Sequence, residues 1–369
     1  MGDRQHLGGV RGRLSVFVTW ASLPPVLGAE EVRGWTRTLE GPVALTGATG
    51  FIGSHLLETL ANAGVPCRVL ARDRGRLTPC SGEVEVVVGD LESRAALERL
   101  VSGCPVVIHL AGLVRSGRRG SFFDVNHGGT IRLLEAAGRS ARGCHFVQVS
   151  SQAAVGPCPL VTGKSPGGLP EPVSAYGRSK LAAEESVRNW TAGSWSIVRP
   201  PAVYGPRDTD VFQFFRLAVR GWLPLPAGER WVTMGHVSDV VRGILAAASL
   251  APSGQILHLG PPQPLLMTDM VRRLAAAGGL RARAVGVPGV VLRVMGRVGD
   301  CLHLLGVHGV ALTSDKVREL RARHWTLETG SSLRLLGLTG AVDFDEGAAA
   351  TWAWYRQQGW LPRGTISPV

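Results

Sequence analysis

The chain has 369 residues, 45% of them apolar and 18% charged, with 49 Gly, 23 Pro and a net charge of +12. It is too apolar for a disordered chain and has no uncharged apolar run of about 18 residues that could cross a membrane. Its six Cys form no C-x-x-C pair, so neither a zinc site nor a disulfide framework is expected, and no metal is expected.

The basic surplus carries no interleaved aromatics and no finger or RNP pattern, so no nucleic-acid partner is expected. It is concentrated instead, with ten Arg/Lys against three Asp/Glu in residues 271–323. Arg and Lys are also unequal. Only Lys164, Lys180 and Lys316 stand among the 40 basic residues.

Residues 1–41 read as an untidy N-terminal extension, expected to be disordered. Arg4, Arg11 and Arg13 precede the apolar stretch Leu14 to Leu27, but Pro24-Pro25 break it and the cleavage site is poor for a signal peptide. From Pro42 the pattern alternates. Val43–Thr46 reads as a strand, and Phe51–Ala63 as a helix with Ile52, Leu56, Leu57 and Leu60 on one face. Arg68–Ala71 and Val84–Val88 are strands, Ala95–Leu100 a helix and Val106–Leu110 a strand. Phe122–Ala137 reads as one long helix and His145–Ser150 as a strand.

Short apolar strands alternating with amphipathic helices predict an α/β fold with a parallel sheet covered on both faces. Gly156–Ser174 is a long Pro/Gly-rich loop, suited to a lid or a site wall. Ala175–Trp190 reads as a helix and Ser196–Val198 as a strand. After about residue 205 the order is looser, which suggests a smaller C-terminal part closing over the sheet edge.

Three features carry chemistry. Gly47, Thr49, Gly50, Phe51, Ile52 and Gly53 span a loop that leaves a strand and opens a helix, with glycines spaced G-x-x-G-x-x-G. Such a loop lets a diphosphate approach the backbone and the open N–H groups of the helix. At the end of the next strand the expected ribose-binding acid is replaced by Ala71. Arg72 follows and suits a 2′-phosphate, which favours NADP, with NAD kept open by Asp73. Asp90 stands where it can meet the adenine edge, an ordinary turn being the alternative.

Tyr176 and Lys180 lie one helical turn apart. With three Tyr and three Lys in the chain, that spacing rarely arises by chance. An ammonium one turn away is expected to lower the phenol's pKa and prepare it for acid–base work. Ser150 and Ser151 end a strand at the same sheet edge, Ser151 being preferred.

Together these residues resemble the extended short-chain dehydrogenase/reductase, or NAD-dependent epimerase/dehydratase, family. The motifs run TGATGFIG at 46–53, GDL at 89–91, HLAG at 109–112, VNHGGT at 125–130, SSQAAVG at 150–156, YGRSK at 176–180, RPPAVYGPRD at 199–208 and HVSDVV at 236–241. The resemblance implies a Rossmann-type doubly wound parallel sheet, with residues 42–204 as an NAD(P)-binding domain and 205–369 as mainly a substrate-binding part from which some segments return to the sheet. It implies a catalytic triad of Ser151, Tyr176 and Lys180. It also implies that Asp90, Leu91, Leu110, Ala111 and Gly112 line the cofactor, that Asn126 supports the lysine site, and that Pro200 and Val203 flank the nicotinamide. Asp239, His109 and His236 are expected to be structural.

Gln152-Ala153 stand where sugar dehydratases of the family carry an acidic pair. Val232 stands where nucleotide-sugar enzymes carry a diphosphate-gripping Arg, with Arg230 out of register. The expected activity is interconversion of a ketone and a secondary alcohol on a small-molecule substrate, nearest the 3β-hydroxysteroid dehydrogenase and dihydroflavonol reductase branches. A nucleotide-sugar epimerase with tightly bound NAD and a non-catalytic NAD(P)-binding protein are the alternatives. A cytoplasmic homodimer is expected, and contact of residues 285–312 with a membrane surface is a further option for a lipid-like substrate.

Overall fold

The computed structural model describes residues 29–36, 39, 41–114, 120–305 and 312–362. Seven parallel strands form its central sheet: β1 (Val43–Thr46), β2 (Cys67–Ala71), β3 (Val84–Val88), β4 (Val106–His109), β5 (His145–Val149), β6 (Ser194–Arg199) and β7 (Gln255–His258). Their spatial order is β7-β6-β5-β4-β1-β2-β3. β1, β4 and β5 are buried along their whole length. Side chains alternate across a strand, so Val43 and Leu45 join one core while Ala44 joins the other.

The first core packs the helices Phe51–Asn62 and Val237–Leu250 through Leu56, Leu60, Val241 and Ile244. The second packs Arg94–Val101 and Gly129–Ser140 through Leu97, Leu100 and Leu133. The sheet is therefore doubly wound, and its order reverses between β1 and β4. The carboxyl ends of those two strands open the crevice in which such sheets bind ligands.

Two elements differ from expectation. Ala29–Thr36, inside the expected disordered extension, is a helix whose Val32 is 3% exposed and joins the first core. Val32 and Trp35, three apart, give it an apolar face. The stretch Leu14 to Leu27 lies outside the described residues. The expected single helix from Phe122 is interrupted by a π segment, Phe123–Gly128, before Gly129–Ser140 resumes as α-helix. The wider turn carries Asn126 inward to 2% exposure.

Beyond β6 a third apolar cluster gathers Phe215, Met270, Leu274, Trp352 and Tyr355 from the helices Phe212–Val219, Met267–Ala277 and Phe344–Gln357. Trp352 Nε1 donates to Leu274 O at 2.8 Å. Asp239 accepts from Val342 N at 3.1 Å and pins the helix Val237–Leu250 to this cluster's chain segment. No helix among the described residues is long and apolar enough to cross a membrane.

Candidate active site

The glycine loop sits where β1 meets the crevice. Gly47 adopts φ +78°, and a Cβ there would lie 2.7 Å from Ala111 N. A Cβ on Gly53 would lie 2.1 Å from Gly47 O. Both positions exclude any side chain, which lets the loop fold back tightly onto its own helix. Gly50 caps that helix with no side-chain bond, and Thr49 and Gly50 are exposed. The helix thus presents open N–H groups and its positive end, as a diphosphate requires. Phe51 and Ile52 are half-buried just behind. Thr46 Oγ1 accepts from Ala111 N at 3.2 Å, and Thr46 O accepts from Leu110 N at 3.2 Å, which ties the β4 end beside the loop.

At the β2 end Ala71 is buried and Arg72 exposed. Asp73 caps a short turn by accepting from Gly75 N at 2.9 Å. Asp90 ties its own turn, its Oδ1 accepting from Glu92 N and Ser93 N at 3.0 and 3.1 Å. Leu91 packs against Gly129, where a Cβ would lie 2.6 Å from Leu91 Cδ1.

Tyr176 and Lys180 open the helix Ala175–Arg188, whose N-cap Ser174 accepts from Gly177 N at 3.1 Å. Ser151 caps the short turn after β5 by accepting from Ala153 N at 3.1 Å, and its side chain is near enough to the Tyr176 phenol to draw its pKa down. Lys180 is 5% exposed, and its Nζ donates to Val149 O at 2.8 Å. The structure thus brings a serine, a phenol and an ammonium to the carboxyl edge of β5. Asn126 joins them. It accepts from Leu113 N at 2.7 Å and donates to Leu113 O at 3.1 Å and to Ser179 Oγ at 2.9 Å, beside Lys180. Gly112 faces the same group, since a Cβ there would meet Asn126 Oδ1 at 2.8 Å and Lys180 Nζ at 3.7 Å.

The electrostatics differ from the sequence expectation. Burial pushes the Tyr176 phenol up to about 12, opposed by the neighbouring Ser151 side chain and reinforced by the carboxylates of Glu319 and Asp210. Burial pulls Lys180 down to about 8, opposed by Glu184. Desolvation outweighs the expected lowering of the phenol by the ammonium. Tyr176 therefore holds its proton at neutral pH.

Sequence reasoning missed the group beneath. Glu184 and Arg199, 0% and 1% exposed, form a two-pronged ion pair with bonds of 2.9 and 2.6 Å. Ser150 Oγ donates to the same carboxylate at 2.5 Å, so Ser150 is held in a structural bond while Ser151 faces the phenol. Glu184 stands four residues after Lys180 and eight after Tyr176, on one helix face, which was the available signal.

The remaining expected residues lie on neighbouring elements. Pro200 is buried, and its carbonyl accepts from Gln152 N at 2.8 Å next to Ser151. Val203 is half-buried in the strand Ala202–Tyr204, parallel to Met234–His236. The Gly156–Ser174 loop is a tied wall. Cys158 N donates to His324 O at 3.0 Å, Lys164 Nζ donates to Val155 O, Leu169 O and Glu171, and Arg199 Nη1 donates to Pro166 O at 3.3 Å. His109 lies between Thr46 and Thr130 at 2.6 and 3.1 Å, and burial pulls it down to about 3. His236 caps the helix Val237–Leu250. Among the described residues no cluster of His, Cys, Asp or Glu could hold a metal ion.

Residues 43–260 match the family model described as NAD dependent epimerase/dehydratase. The chain is 35% identical, over 89% of its length and 98% of the relative's, to a ceramide reductase of Caulobacter vibrioides. It is 28% identical, over 83% of its length and 94% of the relative's, to the ketoreductase of a farnesylated dihydroquinoline oxide in Stigmatella aurantiaca. Among solved structures it superposes on MoeE5 in complex with UDP-glucuronic acid and NAD with a TM-score of 0.67 and 26% identity, covering 86% of this chain and 100% of that one.

Proposed function

Because this chain belongs to the NAD-dependent epimerase/dehydratase family, we propose that it is an NADPH-dependent reductase of a lipid-like ketone. The observation that carries this reading is the grouping of Ser151 and Tyr176 with the buried Lys180 at the carboxyl edge of β5. The Ser151 hydroxyl and the Tyr176 phenol offer two donors to one carbonyl oxygen. A phenol protonated at neutral pH is the acid that reduction needs. It gives its proton to the carbonyl oxygen, which becomes the hydroxyl oxygen of the product alcohol. Lys180 is charged at neutral pH and steadies the phenolate left behind. The chemistry that the nicotinamide supplies when bound is hydride transfer. The residues present fit it, since the exposed Gly50 cap and the side-chain-free Gly47 and Gly53 leave room for its diphosphate.

The preference for NADPH rests on the β2 end. No acid stands at Ala71, Asp73 is engaged with Gly75 N, and Arg72 is exposed. The lipid-like class rests on the ceramide and farnesylated relatives and on Arg230. Its guanidinium donates to the carbonyls of Pro226, Ala227, Arg321 and Ala322, so it is committed to the fold rather than offered to a sugar diphosphate.

Purified chain given NADPH and a long-chain ketone in micelles tests the reading. Net NADPH oxidation, with freely exchangeable cofactor, is the expected result. Tightly retained NAD recovered on denaturation, with no net NADPH consumption, would establish the epimerase instead.

A further inference from the structure

Among the described residues, the helix Gly289–Leu304 is buried along one side. Leu292, Gly296 and Gly299 are buried, and a Cβ on Gly296 would lie 2.8 Å from Val317 and 3.1 Å from Ser314, so the helix Ser314–Arg321 packs closely there. The opposite side is apolar and outward. Val290, Val291, Val294, Met295, Val298 and Leu302 are between 39% and 57% exposed. At 100° per residue these six fill one continuous stripe, and Arg293 and Arg297, both exposed, line its edge. A soluble surface seldom carries so many large apolar side chains side by side.

The charge around the stripe selects what covers it. Residues 281–300 hold Arg281, Arg283, Arg293 and Arg297, all exposed, against one acid, Asp300. Asp300 is turned inward and accepts from Ser314 N at 3.2 Å. The strand Arg283–Val287 runs into the helix and carries Val285, 47% exposed. Its paired strand Trp222–Pro226 opens with Trp222, 48% exposed. Apolar stripe, arginine margin and an exposed Trp form the pattern of a helix lying in a membrane interface.

We propose that the outward face of Gly289–Leu304 docks on an anionic phospholipid surface and turns the site toward it. The helix Ser314–Arg321 links the two. On one side it packs on the docking helix. On the other, Asp315 accepts from Ala175 N at 2.9 Å and Arg318 Nε donates to Val173 O at 3.2 Å, next to Tyr176. Delivery of a lipid ketone from the bilayer to Tyr176 rests on the function proposed above; the docking itself does not.

Co-sedimentation of the full chain with phosphatidylcholine vesicles, with and without phosphatidylglycerol, tests the surface. The chain pellets with the anionic vesicles, and raised salt releases it. Val294→Asp with Val298→Asp lowers the bound fraction at least tenfold while NADPH affinity is kept. Arg293→Glu with Arg297→Glu does the same without touching the apolar stripe. The proposal is overturned if the chain stays in the supernatant with both vesicle types, or if both variants pellet like the native chain. It is equally overturned if sedimentation velocity shows the stripe closing on a second copy, with a dimer that Val294→Asp splits. Vesicle binding without NADPH oxidation would leave the surface standing and sink the activity. NADPH oxidation without vesicle binding would do the reverse.

Discussion

Glu184, on the Tyr176 helix, holds Arg199, at the end of β6, through two bonds in a place where neither side chain is more than 1% exposed. Arg199 also reaches Pro166 O in the wall loop, and Ser150 bonds the same carboxylate. One ion pair therefore joins the helix that carries Tyr176 and Lys180 to β5, β6 and the wall.

Removing one partner leaves the other charge buried and alone. Glu184→Ala should cost about 3–5 kcal/mol of stability, read as a lower midpoint in urea unfolding. Glu184→Met combined with Arg199→Met should recover most of it, because no uncompensated charge then remains. Equal losses in the single and double variants would contradict this account.

Tyr176→Phe removes the proposed proton donor and keeps the ring. Turnover should fall by roughly 10²–10⁴-fold, with NADPH affinity nearly unchanged in a fluorescence titration. Near-native turnover would remove Tyr176 from the chemistry.

Arg72→Ala should weaken NADPH binding about tenfold or more, the worth of one charge-assisted hydrogen bond, and leave NADH binding nearly unaltered. Equal losses for the two cofactors would show that Arg72 does not read the 2′-phosphate.

Stability should fall with acid, and earlier than carboxylate protonation would cause. Burial pulls His55 and His109 down to about 3, and His145, His236 and His258 down to about 4. The folded values lie below the unfolded value near 6.5, so the unfolded chain binds more protons between about 4 and 6.5. Each of these histidines then lowers stability by roughly 1.4 kcal/mol per pH unit as pH falls through that window. Thermal midpoints measured at neutral pH and near pH 5.5 should differ steeply. A flat profile would mean that these rings are not neutral and buried together.

Much of this was legible in the chain. The glycine loop, the alternation of strand and helix, and the Tyr176–Lys180 spacing are local patterns. A turn, an amphipathic period or a helical repeat is written within a few residues, because backbone geometry alone imposes it. The same locality brought Ser151 into consideration, and the fold places it near Tyr176 at the β5 edge.

Other features depend on which surfaces meet. Sequence spacing predicted that Lys180 would lower the Tyr176 phenol, yet burial by surrounding elements raises it. Spacing alone makes Asp73 a candidate for a ribose, whereas the turn in which its Oδ1 accepts from Gly75 N appears only in the fold. Glu184 and Arg199 stand 15 residues apart and pair only because β6 returns beside the Tyr176 helix. The stripe from Val290 to Leu302 has a helical period, and period alone says that one face is apolar. Whether that face looks inward or outward was decided by the helix Ser314–Arg321, which took the side with Gly296 and left the valines uncovered. Local geometry is set by neighbours along the chain, whereas burial, and with it charge state and exposed surface, is set by neighbours in space.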